Sequence, residues 1–289
     1  MLQVARLAPK QLGESRDLVA AFLLSRLNPD GGFQNRSGNS DLYYTVFGLE
    51  GLTALQEPIP PQVSGYLKPF ADGDGLDFVH LASLARCLAG VGQLDAALAT
   101  SILARIERHR SGDGGYAQTK GAPQGTVYAA FLAQGAYEDL RAPMPEPERL
   151  LDSLPALRAS DGGYANNPND RHGITTVTSA AVLLLRHLDA AVDPHAGMWL
   201  LDRCHSSGGF LAAPHAPVPD LLSTATALHA LSALHVPLAG IRESCLDFVD
   251  SLWTNRGGFF GSWADDDLDC EYTYYGLLAI GHATLARPA

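Results

Sequence analysis

A Gly-Gly-aromatic tripeptide recurs along this chain, as Gly31-Gly32-Phe33, Gly114-Gly115-Tyr116, Gly162-Gly163-Tyr164, Gly208-Gly209-Phe210 and Gly257-Gly258-Phe259. Copies stand about 40–50 residues apart. The first interval spans nearly two periods and holds a degenerate copy, Gly73-Asp74-Gly75, at its middle. A period of that length marks an array of six like units, none of which can bury its apolar face alone. The glycines supply the positive φ of a tight turn or helix C-terminus, and the aromatic is placed to pack between helices.

Each unit reads as two helices. Apolar residues at helical spacing precede the glycines, for example Leu94, Leu98, Ile102 and Ile106. After a polar loop a second helix starts near Asp41, Asp77, Thr126, His172, Asp220 and Asp269. Asp at such a position caps the free N–H groups of a first turn. The second helices are rich in Ala, Gly, Ser and Leu, which suits close packing and burial on most sides. The expected fold is all-α, an α6/α6 (α/α) toroid barrel of six helix pairs, and one domain over residues 1–289. Closure is preferred to an open solenoid because the last helix is as apolar as the middle ones, with no polar capping repeat.

With 46 % hydrophobic residues the chain can build a sizeable core. Its net charge of −11 argues against non-specific nucleic-acid or anionic-membrane binding. Four scattered cysteines, Cys87, Cys204, Cys245 and Cys270, form no CxxC pair and no disulfide framework, which suits a reducing compartment. Apolar runs such as residues 180–185 are too short to span a bilayer, so the expectation is a cytoplasmic, non-transmembrane protein.

The repeat Phe22-Leu23-Leu24-Ser25-Arg26-Leu27-Asn28-Pro29-Asp30-Gly31-Gly32-Phe33 resembles the signature of the prenyltransferase and squalene-cyclase repeat superfamily, closest to protein prenyltransferase β subunits. The resemblance runs over about residues 13–285. It implies a prenyltransferase that holds a farnesyl- or geranylgeranyl-type diphosphate in a central cavity and works with a helical α-subunit-like partner. Two alternatives stand beside it: a class II-like terpenoid cyclase, and a non-catalytic toroid that binds an isoprenoid or a protein.

Aligned on a shared threonine, His172-Gly173-Ile174-Thr175-Thr176 is similar to the family's His-Gly-x-x-Thr element, whose His contacts the diphosphate. Arg171 beside it, and Arg36 in the first glycine loop, are the cations the resemblance offers to that group. The family's Asp-x-Cys zinc pair reads Asp220-Leu221-Leu222 here, and its zinc His reads Tyr272. Asp220 and Asp269 are then the remaining candidates to hold a metal, Zn or Mg, so the cofactor stays open. An isoprenoid would lie along Tyr43, Tyr44, Tyr272 and Tyr275.

Asp269-Cys270-Glu271-Tyr272-Thr273 is similar to the Asp-x-Asp-Asp-Thr acid motif of class II cyclases, with Glu271 at the acid position. Asp220, Asp269, Glu271 and Tyr272 are therefore the catalytic candidates. Blander readings stay open: the four Asp residues as N-caps, residues 265–269 as a solvated acidic loop, and Asp77 with His80 as a cap rather than a zinc element.

Overall fold

The computed structural model describes residues 1–285, and among these the regular structure is helical, with no strand. In chain order the helices are α1 (Leu2–Ala5), α2 (Ala8–Leu12), α3 (Ser15–Ser25), α4 (Leu42–Ala54), α5 (Gln62–Leu67), α6 (Phe78–Gly90) and α7 (Ala96–Glu107). They continue with α8 (Val127–Asp139), α9 (Pro147–Ser153), α10 (Thr175–His187), α11 (Ala196–Leu201), α12 (Leu221–Ala233), α13 (Arg242–Ser251) and α14 (Cys270–Leu285). Short 3-10 turns over Lys68–Phe70 and Leu154–Leu157 extend α5 and α9.

The glycine motif builds the same turn each time. The motif aromatic forms an isolated antiparallel bridge with the residue before the turn: Leu27 with Phe33, Arg110 with Tyr116, Arg158 with Tyr164, Cys204 with Phe210, and Trp253 with Phe259. The first glycine of each pair has a positive φ, such as +79° at Gly208 and +88° at Gly257. Space is as restrictive as conformation there. A Cβ on Gly208 would stand 1.8 Å from the Ser244 carbonyl oxygen, and one on Gly257 would stand 2.1 Å from that of Leu18. Only glycine lets the turn lie directly on the backbone of the neighbouring helix. The degenerate Gly73-Asp74-Gly75 copy is pinned differently, by Arg105 reaching Asp72 at 2.8 Å and Asp74 at 2.5 Å.

The chain divides into two compact units. The first comprises Met1–Pro60 together with the described residues from Gly197 onward. Its centre is α14, packed against α4, α12, α13 and the N-terminal helices α1 and α2. Small residues on α14 and α4 receive large ones: the Phe259 ring sits over Gly276 and the Phe33 ring over Gly48. The motif aromatic thus packs onto the helix that follows its own turn.

The second unit, Pro61–Ala196, packs α6 against α7 and α8, and α8 against α10. A closed polar network holds its centre. Tyr116 and Tyr137 both donate to Glu107 Oε1, the latter at 2.8 Å, and Arg110 donates to Glu107 Oε2 at 3.0 Å. Further guanidinium donors of Arg110 go to the Tyr116 hydroxyl and to the Gly114 and Pro145 carbonyls. These bonds are mutual and local to the unit, so the network reads as structure rather than as a reactive site.

Candidate functional site

The N-termini of α4, α12 and α14 are set by one repeated clamp. The motif aromatic's amide donates to a threonine one turn into the helix, Phe33 to Thr45 at 3.0 Å and Phe210 to Thr224 at 2.8 Å. That threonine donates back to the carbonyl of the N-cap Asp, at 2.6 Å for Asp41, 2.7 Å for Asp220 and 2.7 Å for Asp269. Each Asp carboxylate then accepts first-turn amides, from Tyr43, Ser223 and Tyr272 respectively. All three carboxylates are N-caps. Asp77 caps α6 in the same way and also accepts from the His80 ring at 2.7 Å.

Capping does not exhaust what Asp269 does. Arg36, in the first glycine loop, donates from Nε to Asp269 at 2.7 Å and from its two terminal nitrogens to Asp265 at 3.2 and 2.7 Å. Its guanidinium lies 5.3 Å from the centre of the Tyr272 ring. Burial works against the Arg36 charge, but the two carboxylates outweigh it and hold the pKa well above its ordinary value. Asp269 is 2 % exposed, and burial pushes its pKa up even though Arg36 and the Tyr272 amide oppose the shift. Beside the pair lies a polar cleft of about 370 Å³, lined in part by Arg26, Arg256, Asn35 and Asp266.

One turn away, the Tyr43 hydroxyl donates to Glu271 Oε1 at 2.6 Å. Burial pushes the Glu271 carboxyl up to about 7; the Tyr43 bond opposes this and the negative Asp269 adds to it. Burial likewise takes Tyr44 and Tyr272 to about 12. Next to Glu271 an aromatic cluster joins α4 to α14. Phe47 lies 5.0 Å from Tyr43, 5.9 Å from Tyr274 and 5.5 Å from Tyr275, measured between ring centres. Deeper along α14, His282 is 1 % exposed and its Nε2 meets His229 Nδ1 at 2.9 Å. Burial takes its pKa down to about 3, so it is neutral.

Of the residues singled out from sequence, Arg36, Tyr43, Tyr44, Asp269, Glu271, Tyr272 and Tyr275 come together in the first unit. Asp220 belongs to the same unit at the start of α12. Its carboxylate is committed to Ser223, accepting the amide and the hydroxyl at 2.7 Å each, and burial raises its pKa. Arg171 and His172 belong to the second unit, where both are exposed; His172 stands 3.6 Å from Asp161.

The threonine register of α10 requires a correction. The Tyr164 amide donates to Thr178, not Thr176, and the N-cap is Ile174. His172 therefore sits two residues before the position that Asp220 and Asp269 occupy. The sequence alignment slipped because Thr175, Thr176 and Thr178 all offer a match and only the clamp tells them apart.

Zinc does not fit here. Leu222 and Tyr272 stand where a thiolate and an imidazole would be required. Asp220 is held by Ser223 and Asp269 by Arg36, and among the described residues no three His, Cys, Asp or Glu side chains converge. Sequence reasoning took Asp265 only as part of the acidic run 265–269, and missed its pairing with Arg36, the place of Phe47 and the His229–His282 contact. A period-3.6 reading of α4 places Phe47 on the face of Tyr43, but the partnering of Arg36 with Asp265 joins two distant loops and has no local signal.

No curated protein matches this chain. Among solved structures it is similar to the type II terpene cyclase MstE from Scytonema, at 16 % identity and a TM-score of 0.64, over 96 % of this chain and 98 % of that one. A variant of that cyclase holding its substrate, geranylgeranyl dihydroxybenzoate, matches with a TM-score of 0.65. The protein geranylgeranyltransferase-I of Candida albicans, complexed with GGPP, matches at 12 % identity and a TM-score of 0.59, over 96 % of this chain and 80 % of that one. At such identities the likeness concerns the fold, which is shared by an enzyme that cyclises an isoprenoid and one that transfers it. A family model matches residues 8–99 and 177–284, well over half the length: the chain belongs to the prenyltransferase alpha-alpha toroid domain family.

Proposed function

We propose that this protein binds a linear isoprenoid and cyclises it by protonation, with Glu271 as the acid. The observation that carries the reading is the Glu271 carboxyl, half-buried, raised by desolvation to about 7 and bonded at Oε1 to the Tyr43 hydroxyl. A carboxyl that is still protonated at pH 7 can give a proton to an alkene. The O–H bond of Glu271 breaks, the proton adds to the terminal double bond, and a tertiary carbocation forms. Tyr43 then stabilises the carboxylate left behind. The faces of Tyr43, Phe47 and Tyr275 favour the moving cation, and Arg36 with Asp269 orients the first turn of α14. Loss of a proton from the final cation returns the charge balance.

The geranylgeranyl chain, present in the ligands of both similar enzymes, is the first substrate to try. Incubation with geranylgeranyl diphosphate and geranylgeranyl aryl acids should give cyclic isomers of unchanged mass. Glu271→Gln should abolish them while binding persists. Full activity in that variant, or binding without any isomer, overturns the reading.

Prenyl transfer is the second reading, supported by the neighbouring exposed side chains of Arg171 and His172, the donor types a diphosphate takes. It predicts release of diphosphate and a product heavier than the acceptor, and would bring in the α-subunit-like partner.

A further inference from the structure

Neither proposed reaction uses the polar cleft beside Arg36. The cleft lies within the first unit, between Arg26 at the end of α3, Arg256 just before the last glycine turn, the first glycine loop and the segment that leads into α14. Protonation of a terminal alkene by Glu271 sends the polar head of a linear isoprenoid away from the acid, whereas the cleft is walled by Asp269, two residues before that acid. The cations of the transfer reading, Arg171 and His172, belong to the other unit.

Its walls carry opposite charges that the protein leaves unmatched. Arg36 is taken by Asp265 and Asp269. Among the described residues Arg26 and Arg256 stand in no ion pair, and neither do Asp266 and Asp267, in a chain where 31 acidic side chains compete for 20 basic ones. The Arg26 guanidinium is held in place: its carbon lies 4.6 Å from the centre of the Phe22 ring, and its Nε is buried without a hydrogen-bond partner. A guanidinium already stripped of part of its water gains more from an incoming carboxylate than one in open solvent. Arg256, Asp266 and Asp267 line the cleft at exposed positions. A plain anion is attracted by the arginines but repelled by Asp266 and Asp267, and a plain cation meets the reverse. A ligand carrying both charges satisfies both walls.

We propose that this cleft is a binding site for a small hydrophilic zwitterion of the α-amino acid type, its carboxylate accepting from Arg26 and Arg256 and its ammonium donating to Asp266 or Asp267. A volume of about 370 Å³ admits one such molecule, and Gln34, Asn35 and Ser37 remain for a polar side chain. The bound amino acid joins the first glycine loop to the last one beside the Arg36 bridge, so it stabilises the folded chain by mass action. The site stands whether an isoprenoid is cyclised or transferred.

The test titrates the full chain by calorimetry and thermal denaturation with serine, glutamine and glutamate. Controls are N-acetylserine, which lacks the ammonium, serinamide, which lacks the carboxylate, and inorganic phosphate and diphosphate. The free amino acids should give saturable heat and a concentration-dependent rise in Tm, and every control should bind roughly tenfold more weakly or worse. Arg256→Gln, at an exposed position, should weaken the amino acids about tenfold and leave the Tm of the unliganded chain nearly unchanged. Asp266→Asn combined with Asp267→Asn should let N-acetylserine bind as well as serine. Arg26→Gln should abolish binding; if that variant does not fold, Arg256→Gln decides. Phosphate or N-acetylserine binding the unaltered chain as tightly as serine makes the cleft a plain anion site and overturns the proposal. So does the lack of any amino-acid binding at millimolar concentration, or an unchanged affinity in Arg256→Gln.

Discussion

Burial, more than neighbouring charge, sets the chemistry of Glu271. The same desolvation raises Asp269 and Asp220, where Arg36 and Ser223 oppose it, and at Glu271 it prevails over both the Tyr43 hydroxyl and the Arg36 charge, with the Asp269 charge adding to it. A carboxyl whose folded pKa is raised favours the protonated form, so its stabilising effect is complete below its unfolded pKa and is lost as pH climbs through the folded one. Between about pH 4.5 and pH 7 the fold should therefore lose roughly 3 kcal/mol on this group's account. Glu271→Gln should flatten that slope and raise Tm at pH 8 relative to the unaltered chain, read by thermal denaturation across the range. Asp220 makes a contrasting case. Asp220→Asn preserves the cap and should leave stability nearly unchanged, while Asp220→Ala should cost about 1 kcal/mol in denaturant titrations. At this scale the sequence disclosed the residue types and their spacing in Asp269-Cys270-Glu271-Tyr272-Thr273. The helix α4 that packs on this segment, and whose Tyr43 reaches Glu271, lies more than 200 residues away in the chain.

Among the elements, the glycine turns were the most legible feature, since positive φ and backbone contact both demand glycine and both leave it in the sequence. Gly208→Ala should destabilise by about 3 kcal/mol or more, because its Cβ has no room against the Ser244 carbonyl and a φ of +79° is strained for alanine. Chemical denaturation with circular dichroism would measure the loss. The N-caps were legible too, since Asp and Thr before an apolar run satisfy free amides in the same way wherever they occur. The start of α10 was less so. Its N-cap is Ile174, which makes no side-chain cap, and a threonine-rich first turn hides the register until the Tyr164 amide selects Thr178.

For the whole molecule, the pairing of Arg36 with Asp265 and Asp269 ties the first glycine loop to the last one within the first unit. Arg36→Met leaves a buried carboxylate without its cation and should cost on the order of 3 kcal/mol. Arg36→Met combined with Asp269→Asn should recover part of that loss, a coupling that a double-mutant cycle on Tm or urea midpoint would detect. The family and the helical class were determined by the sequence alone, because a repeat writes the same local requirements again in every copy: glycine for the turn, an aromatic for the following helix, Asp or Thr for the cap. How burial shifts each carboxyl and which of them is paired were decided only by the tertiary structure. Desolvation and long-range pairing depend on side chains brought together from distant parts of the chain, and no local pattern records them.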